Sequence, residues 1–181
     1  MDQVQLIRQC KDGDQRAFGL LVDQHAEQTY RVAFRILNDT LEAEDVVQEA
    51  FIRAWDKMEK FREEASFSAW IYKIATNLSY DILRSGRRKK MQRLEEKDLE
   101  DILSSLDNPE QELDLKECAL LIQAISENLS LKQKLAFVLI DVEGMSHDEA
   151  VNITGMSKTR LKSNLYHARK LIGERIQILW K

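Results

Sequence analysis

The sequence predicts an all-α chain of two small helical domains joined by a flexible acidic linker. Three observations carry that reading. Across 181 residues there are only 6 Gly and 1 Pro, too little punctuation for a sheet built of hairpins. Apolar residues recur at steps of three and four, the helical period, over most of the chain. The single proline, Pro109, falls within EEKDLEDILSSLDNPEQELD, where apolar content is weak and like charges crowd. Hydrophobic residues at 44% suffice for a core, and charged residues at 32% suit a soluble helical protein. No apolar run approaches the ~18 residues of a membrane span, and MDQVQLIRQCKDGD is too charged for a secretory signal, so a cytoplasmic protein is expected.

The elements follow in order. Val4 to Cys10 begins a helix that KDGD breaks, since Gly13 between Asp12 and Asp14 is turn chemistry. Ala17, Phe18, Leu21 and Val22, then Tyr30, Val32, Ala33, Ile36 and Leu37, read as one long helix or two. Asn38-Asp39-Thr40 stops this run and caps the next helix, EAEDVVQEAFIRAWDKM, which carries Val46, Val47, Ala50, Phe51, Ala54 and Trp55 inward. After the polar loop EKFREEAS, Ser66 caps FSAWIYKIATNLSYDILRSGRRKK. There Phe67, Ile71, Ile74, Ala75, Leu78 and Ile82 make a core stripe, with Trp70, Asn77, Asp81 and Arg84 beside it.

Beyond the linker, Leu113 to Leu129 is amphipathic, and Leu131 to Val142 repeats the pattern after Ser130. Ser146 and Glu149 then form a Ser-x-x-Glu capping box, Thr154-Gly155-Met156 makes a three-residue turn, and Ser157 caps a last long helix. Two helices joined by such a turn are a helix-turn-helix.

Net charge is -4, which hides an uneven distribution. Residues 84–93 hold six Lys/Arg and no acid, residues 94–117 hold ten acids against two lysines, and residues 157–181 hold seven Lys/Arg against Glu174. Two basic zones flank an acidic one, which points to nucleic acid. In the last helix Leu161, Leu165, Ala168, Ile172 and Ile176 face inward. Outward lie Arg160, Lys162, Ser163, Tyr166, His167 and Lys170, donors suited to phosphates and base edges in a major groove. The aromatic and basic residues of 67–90 suit unstacked bases and phosphates. Asp45, Gln48, Glu49 and Ile52 share one helix face; spacing alone reads it as solvated, although Ile52 leaves a partner surface open.

Nothing indicates catalysis or a metal. His25, His147 and His167 are scattered, with no H-x-x-x-H pair, no Gly-rich phosphate loop and no nucleophile elbow. Cys10 and Cys118 each sit in an apolar helical pattern and read as buried small hydrophobes. A binding protein without cofactors is expected.

Taken together, GDQRAFGLLVDQH, EAEDVVQEAFIRAW, FREEASFSAWIYKIATNLSYDILR and DVEGMSHDEAVNITGMSKTRLKSNLYHARK closely resemble the bacterial RNA polymerase sigma factors of the extracytoplasmic-function (ECF) type, the two-domain form of the sigma-70 family. The resemblance implies a sigma region 2 domain over 1–92, an acidic linker over 93–112 and a winged-helix-like, helix-turn-helix region 4 domain over 113–181. It makes Asp45, Gln48, Glu49 and Ile52 candidates for docking on the β′ clamp helices of core polymerase, reversing the reading from spacing alone, and it gives region 4 the β flap. Phe61, Ser68 and Asn77 would form or border a pocket for a flipped base of the -10 element, with Trp70, Asp81, Arg84, Arg87 and Arg88 nearby. Arg160, Lys162, Ser163, Tyr166 and His167 would read the -35 element, with Arg169 supporting them at the backbone. The linker would thread the polymerase channel. Promoter DNA and an anti-sigma factor are the other implied partners, with no direct membrane insertion.

Two departures stand out. Relatives often open the recognition helix with Pro-x-Gly-Thr-Val, where this chain has Ser157-Lys158-Thr159-Arg160-Leu161, and Asn164 replaces a frequent arginine. Asp81, an awkward neighbour for DNA, is expected to pair with Arg84 three residues on. The competing readings are a stand-alone helix-turn-helix regulator, which leaves the first domain's faces without purpose, and a helical adaptor, which the basic zones oppose.

Overall fold

The structure is a computed structural model that describes residues 3–62, 66–91 and 128–179, with side chains up to residue 86 in the fourth helix and 177 in the last. The predicted linker, residues 113–127 of the helix expected at 113–129 and Cys118 lie outside the described residues, and the last two positions of that expected helix, 128 and 129, lie in a turn. Within them the chain is helical throughout, as the spacing predicts.

The first module starts with α1 (Gln3–Lys11), which buries Leu6, Ile7 and Cys10. Gly13 takes φ 88°, and the Asp14 carboxylate then accepts the Arg16 and Ala17 N–H groups at 2.8 and 3.2 Å, capping α2 (Gln15–Leu37). The stretch read as one helix or two is thus a single helix of 23 residues. It ends where Asn38 turns left-handed at φ 61° and donates its N–H to the Phe34 carbonyl. Asp39 caps α3 (Thr40–Asp56) through the Glu42 N–H at 2.9 Å. A short 3-10 turn, Met58–Lys60, leads to Phe61, and Ser66 opens α4 (Phe67–Met91) by accepting the Ala69 N–H. Leu21, Ala33, Val46, Ala50, Met58, Phe67, Ile71 and Ala75 meet in one buried core.

The second module opens on a capping box between Ser130 and Gln133, which starts α5 (Leu131–Phe137). The amphipathic run continues to Val142 as expected, but Val138–Val142 is loosened into a π turn that the Glu143 N–H closes on the Val138 carbonyl at 2.9 Å. The predicted capping box forms: Glu149 N–H reaches Ser146 Oγ at 3.2 Å and Ser146 N–H reaches Glu149 Oε2 at 2.9 Å. It begins α6 (His147–Thr154); Gly155 takes φ 68° and Ser157 opens α7 (Lys158–Leu179). Leu135, Leu139, Ala150, Ile153, Met156, Leu161 and Leu165 form this core. Ile176, expected inward, is 38% exposed, because the buried stripe of α7 ends at Ile172.

The modules touch. Val32 and Ile36, on the side of α2 away from the first core, belong to the second cluster, along with Tyr72, Tyr80 and Leu83 of α4.

Candidate docking and nucleic-acid interfaces

Helix α3 shows the acidic stripe at work on a surface. Asp45 and Gln48 are exposed, Glu49 is half-buried, and Ile52 stands 57% exposed among them. Arg53 donates to Glu49 at 2.7 Å one turn on, which fixes the carboxylate on the helix surface. The stripe runs into an open cleft of about 310 Å³ lined by Gln15, Phe18, Phe51, Ile52 and Trp55. Phe18 and Trp55 lie 5.0 Å apart between ring centres as its aromatic wall. Periodicity assigns Trp55 to the core, and here it is only half-buried. The cleft joins α2 to α3, so helical spacing on one element does not show it; the exposed isoleucine is its one trace in the sequence.

On α4 the polar stripe is presented as expected. Asn77, Asp81 and Arg84 are exposed, and among the described residues no ion pair links Asp81 to Arg84. Trp70 is half-buried, its ring 4.8 Å from that of Phe61 and 5.9 Å from that of Phe67. Phe61 itself is only 4% exposed. It therefore lies under Trp70 as a supporting layer instead of standing open at the surface. Ser68, at the first turn, shares a 2.6 Å hydrogen bond with Ser66 across the two hydroxyls. Arg87 and Arg88 continue the same helix, and their side chains lie outside those described. Tyr80 packs against the second module's core, and Tyr72 lies against both cores. Burial, then the neighbouring Glu143 carboxylate, pushes the Tyr72 phenol up from its ordinary value.

Helix α7 presents Arg160, Lys162, Ser163, Tyr166 and His167 to solvent, with Tyr166 64% exposed. Tyr166 and His167 sit edge to face at 5.4 Å, and Lys158 ties α7 to α6 through Asp148 at 2.8 Å. Asn164, in the departed position, bonds back to the Arg160 carbonyl at 2.7 Å and contributes no outward donor here. Arg169 makes a two-pronged bond to Asp141, at 2.8 and 2.6 Å, which raises its pKa and orients its guanidinium against the end of the π turn. Sequence spacing does not show this partner, 28 residues away. Among the described residues no cluster of ligands could hold a metal ion, and no helix is long and apolar enough to cross a membrane.

Residues 21–89 match the family Sigma-70 region 2, and residues 119–172 match Sigma-70, region 4. The chain is 31% identical over 180 residues to the ECF RNA polymerase sigma-E factor of Haemophilus influenzae, covering 96% of this chain and 95% of that protein. The chain belongs to the ECF sigma factors of the sigma-70 family. The sigma-E factor of Escherichia coli K12 is 29% identical, covering 98% of this sigma factor and 95% of its relative. In fold it is similar to CnrH in complex with the cytosolic domain of CnrY, at TM-score 0.70 and 23% identity over 97% of both chains. It is also similar to RpoE in complex with the anti-sigma factor NepR from Bartonella quintana, at TM-score 0.66 and 23% identity, covering 89% of this chain and 97% of that one. This sigma factor binds core RNA polymerase and directs promoter-specific transcription initiation, and its family consists of initiation factors rather than enzymes.

Proposed function

We propose that three separate faces of this sigma factor divide the work of initiation. The stripe of Asp45, Gln48, Glu49 and Ile52 docks on the β′ clamp helices, while the second module meets the β flap. The observation that carries this is the exposed Ile52, which joins an acidic stripe to an aromatic-walled cleft. A surface combining carboxylates with an open apolar socket suits a basic helix that brings an apolar side chain.

The exposed stripe of α4 handles the -10 element. Asn77 offers an amide to a base edge, and Trp70, backed by Phe61, offers part of an aromatic face. Ser68 borders the site, and Arg84, Arg87 and Arg88 bind phosphate. Holding an unstacked base here offsets part of the few kcal/mol that each step of strand opening costs, which assists melting. Helix α7 enters the -35 major groove with Lys162, Ser163, Tyr166 and His167 at the bases or phosphates and Arg160 at its leading end. Arg169, oriented by Asp141, supports the backbone contacts. The protein acts in the cytoplasm, without a cofactor or catalytic step. An anti-sigma factor is a further partner, supported by the structures of CnrH with CnrY and of RpoE with NepR.

The test pairs two variants. The Asp45→Ala/Gln48→Ala/Glu49→Ala chain should lose core polymerase in a pull-down while keeping its melting temperature. Asn77→Ala should keep core binding and lose affinity for a single-stranded -10 oligonucleotide presented to the holoenzyme. Equal core binding by the triple variant would remove the docking assignment, and unchanged oligonucleotide binding by Asn77→Ala would remove the base-reading one.

A further inference from the structure

We infer that Asp141 is a positioning residue for promoter binding: it holds the Arg169 guanidinium by one edge, so that the other edge is presented ready-made to a phosphate of the -35 duplex. The inference rests on the reading that α7 enters the -35 major groove. It adds to that reading a residue outside α7 whose charge has the wrong sign for DNA. Arg169 donates from Nε to Asp141 Oδ2 at 2.8 Å and from Nη2 to Oδ1 at 2.6 Å. A guanidinium carries five N–H donors in one rigid plane. Both N–H groups of Nη1 and the second of Nη2 are left over, and nothing among the described residues bonds to them. Those remaining donors form the outer edge of the fork, which matches two phosphate oxygens.

Exposure points the same way. The Arg169 side chain is 58% exposed and that of Asp141 only 22%, so the carboxylate is the sheltered partner and the guanidinium the one that meets solvent. Lys162, Tyr166 and Arg169 are spaced i, i+4, i+7 on α7 and are all exposed, which puts the free edge on the reading face. Both partners stand on buried ground. Asp141 belongs to the π turn that follows the buried Val138 and Leu139, closed by the Glu143 N–H on the Val138 carbonyl and the Met145 N–H on the Leu139 carbonyl, both at 2.9 Å. Arg169 follows the buried Ala168 and lies one turn before the buried Ile172. A fork held in this way has little rotamer freedom left to lose when a phosphate arrives.

The ion pair at the other end of α7 differs in kind. Lys158 reaches Asp148 through a single contact at 2.8 Å, and both side chains are mostly exposed, so water and salt compete for it freely. Charge and positioning make opposite demands on Asp141. By charge alone an acid beside the duplex repels phosphate, and removing it would tighten promoter binding and steepen the dependence on salt. That repulsion acts across the width of the guanidinium and is screened by salt, whereas the attraction of guanidinium for phosphate acts at contact. Positioning therefore wins, and losing Asp141 weakens binding.

The test measures equilibrium binding of a labelled promoter duplex by holoenzyme reconstituted with the native full chain or a variant, over a series of salt concentrations. One phosphate contact contributes a slope of about 0.9 in log K against log salt, roughly eightfold in affinity near 0.1 M. Arg169→Ala should lose about that much and flatten the slope by about that amount. Asp141→Ala should weaken binding roughly three- to eightfold and flatten the slope in the same direction, and Asp141→Glu should recover most of the loss. Asp141→Ala in the Arg169→Ala background should change nothing further. Tighter binding or a steeper slope in Asp141→Ala would overturn the inference, because the acid would then only repel. A weaker Asp141→Ala with an unchanged slope and a lower melting temperature would also overturn it, leaving the pair a tie between helices. Unchanged binding in Asp141→Ala beside a weakened Arg169→Ala would remove the role of Asp141 alone. Unchanged binding in Arg169→Ala would strike the assignment of that residue to the -35 backbone, and the inference with it.

Discussion

Replacing Ile52 by alanine isolates the apolar part of the docking face. Fully burying an isoleucine side chain is worth about 1.5 to 3 kcal/mol, and 57% of this one remains to be covered. Docking therefore gains about 0.9 to 1.7 kcal/mol from Ile52, of which alanine keeps a small part. The expected loss is about 1 kcal/mol, or roughly five- to tenfold in the dissociation constant. Because Ile52 projects from the surface, the free chain should change by less than about 0.5 kcal/mol. The assay is competition of labelled native chain from core polymerase at one fixed salt concentration, alongside a thermal melt of the variant alone. Unchanged affinity with an unchanged melt would refute the docking role. A melt that falls in step with affinity would show that Ile52 serves mainly to wall the cleft.

Substitutions at three further positions test the architecture. Ser146→Ala removes the reciprocal cap of α6 and should destabilise the helix-turn-helix module by about 1 kcal/mol, read from denaturant melts. Gly155→Ala places a side chain at φ 68° where nothing lies within 4 Å, so about 1 kcal/mol of backbone strain should appear, with Gly155→Asn costing less. His25 has its pKa lowered by burial, and its Nε2 lacks a partner beside Phe67 at 5.3 Å. Its neutral form is favoured by folding, so its stabilising contribution is complete above the unfolded value near 6.5 and is lost as pH falls below it. The melting temperature should drop on acidification through that window, and His25→Phe should flatten the dependence.

Much of the fold was legible because its punctuation is local. The Ser146 box closes over three residues, and the Asp39 and Ser66 caps act within the next turn of their own helices. The reading stripes of α4 and α7 likewise follow from spacing on single helices. What escaped the sequence depends on elements meeting at a distance. Gln28 and Glu143 are 115 positions apart, and no pattern on α2 announces that Val32 and Ile36 face a second module rather than the first core. The cleft needs α2 beside α3, and Arg169 needs the π turn to bring Asp141 to it. Phe61, which the resemblance sets in or beside a base pocket, follows a 3-10 turn and lies buried against Trp70, a contact that no spacing in its polar loop shows.

The most direct measurement of the central claim is run-off transcription on genomic fragments with purified core polymerase from the same organism, with and without this protein. The account predicts specific transcripts that require the native chain and disappear with the Asp45→Ala/Gln48→Ala/Glu49→Ala variant. A chain that shifts promoter DNA by itself yet never supports initiation with active core would contradict it.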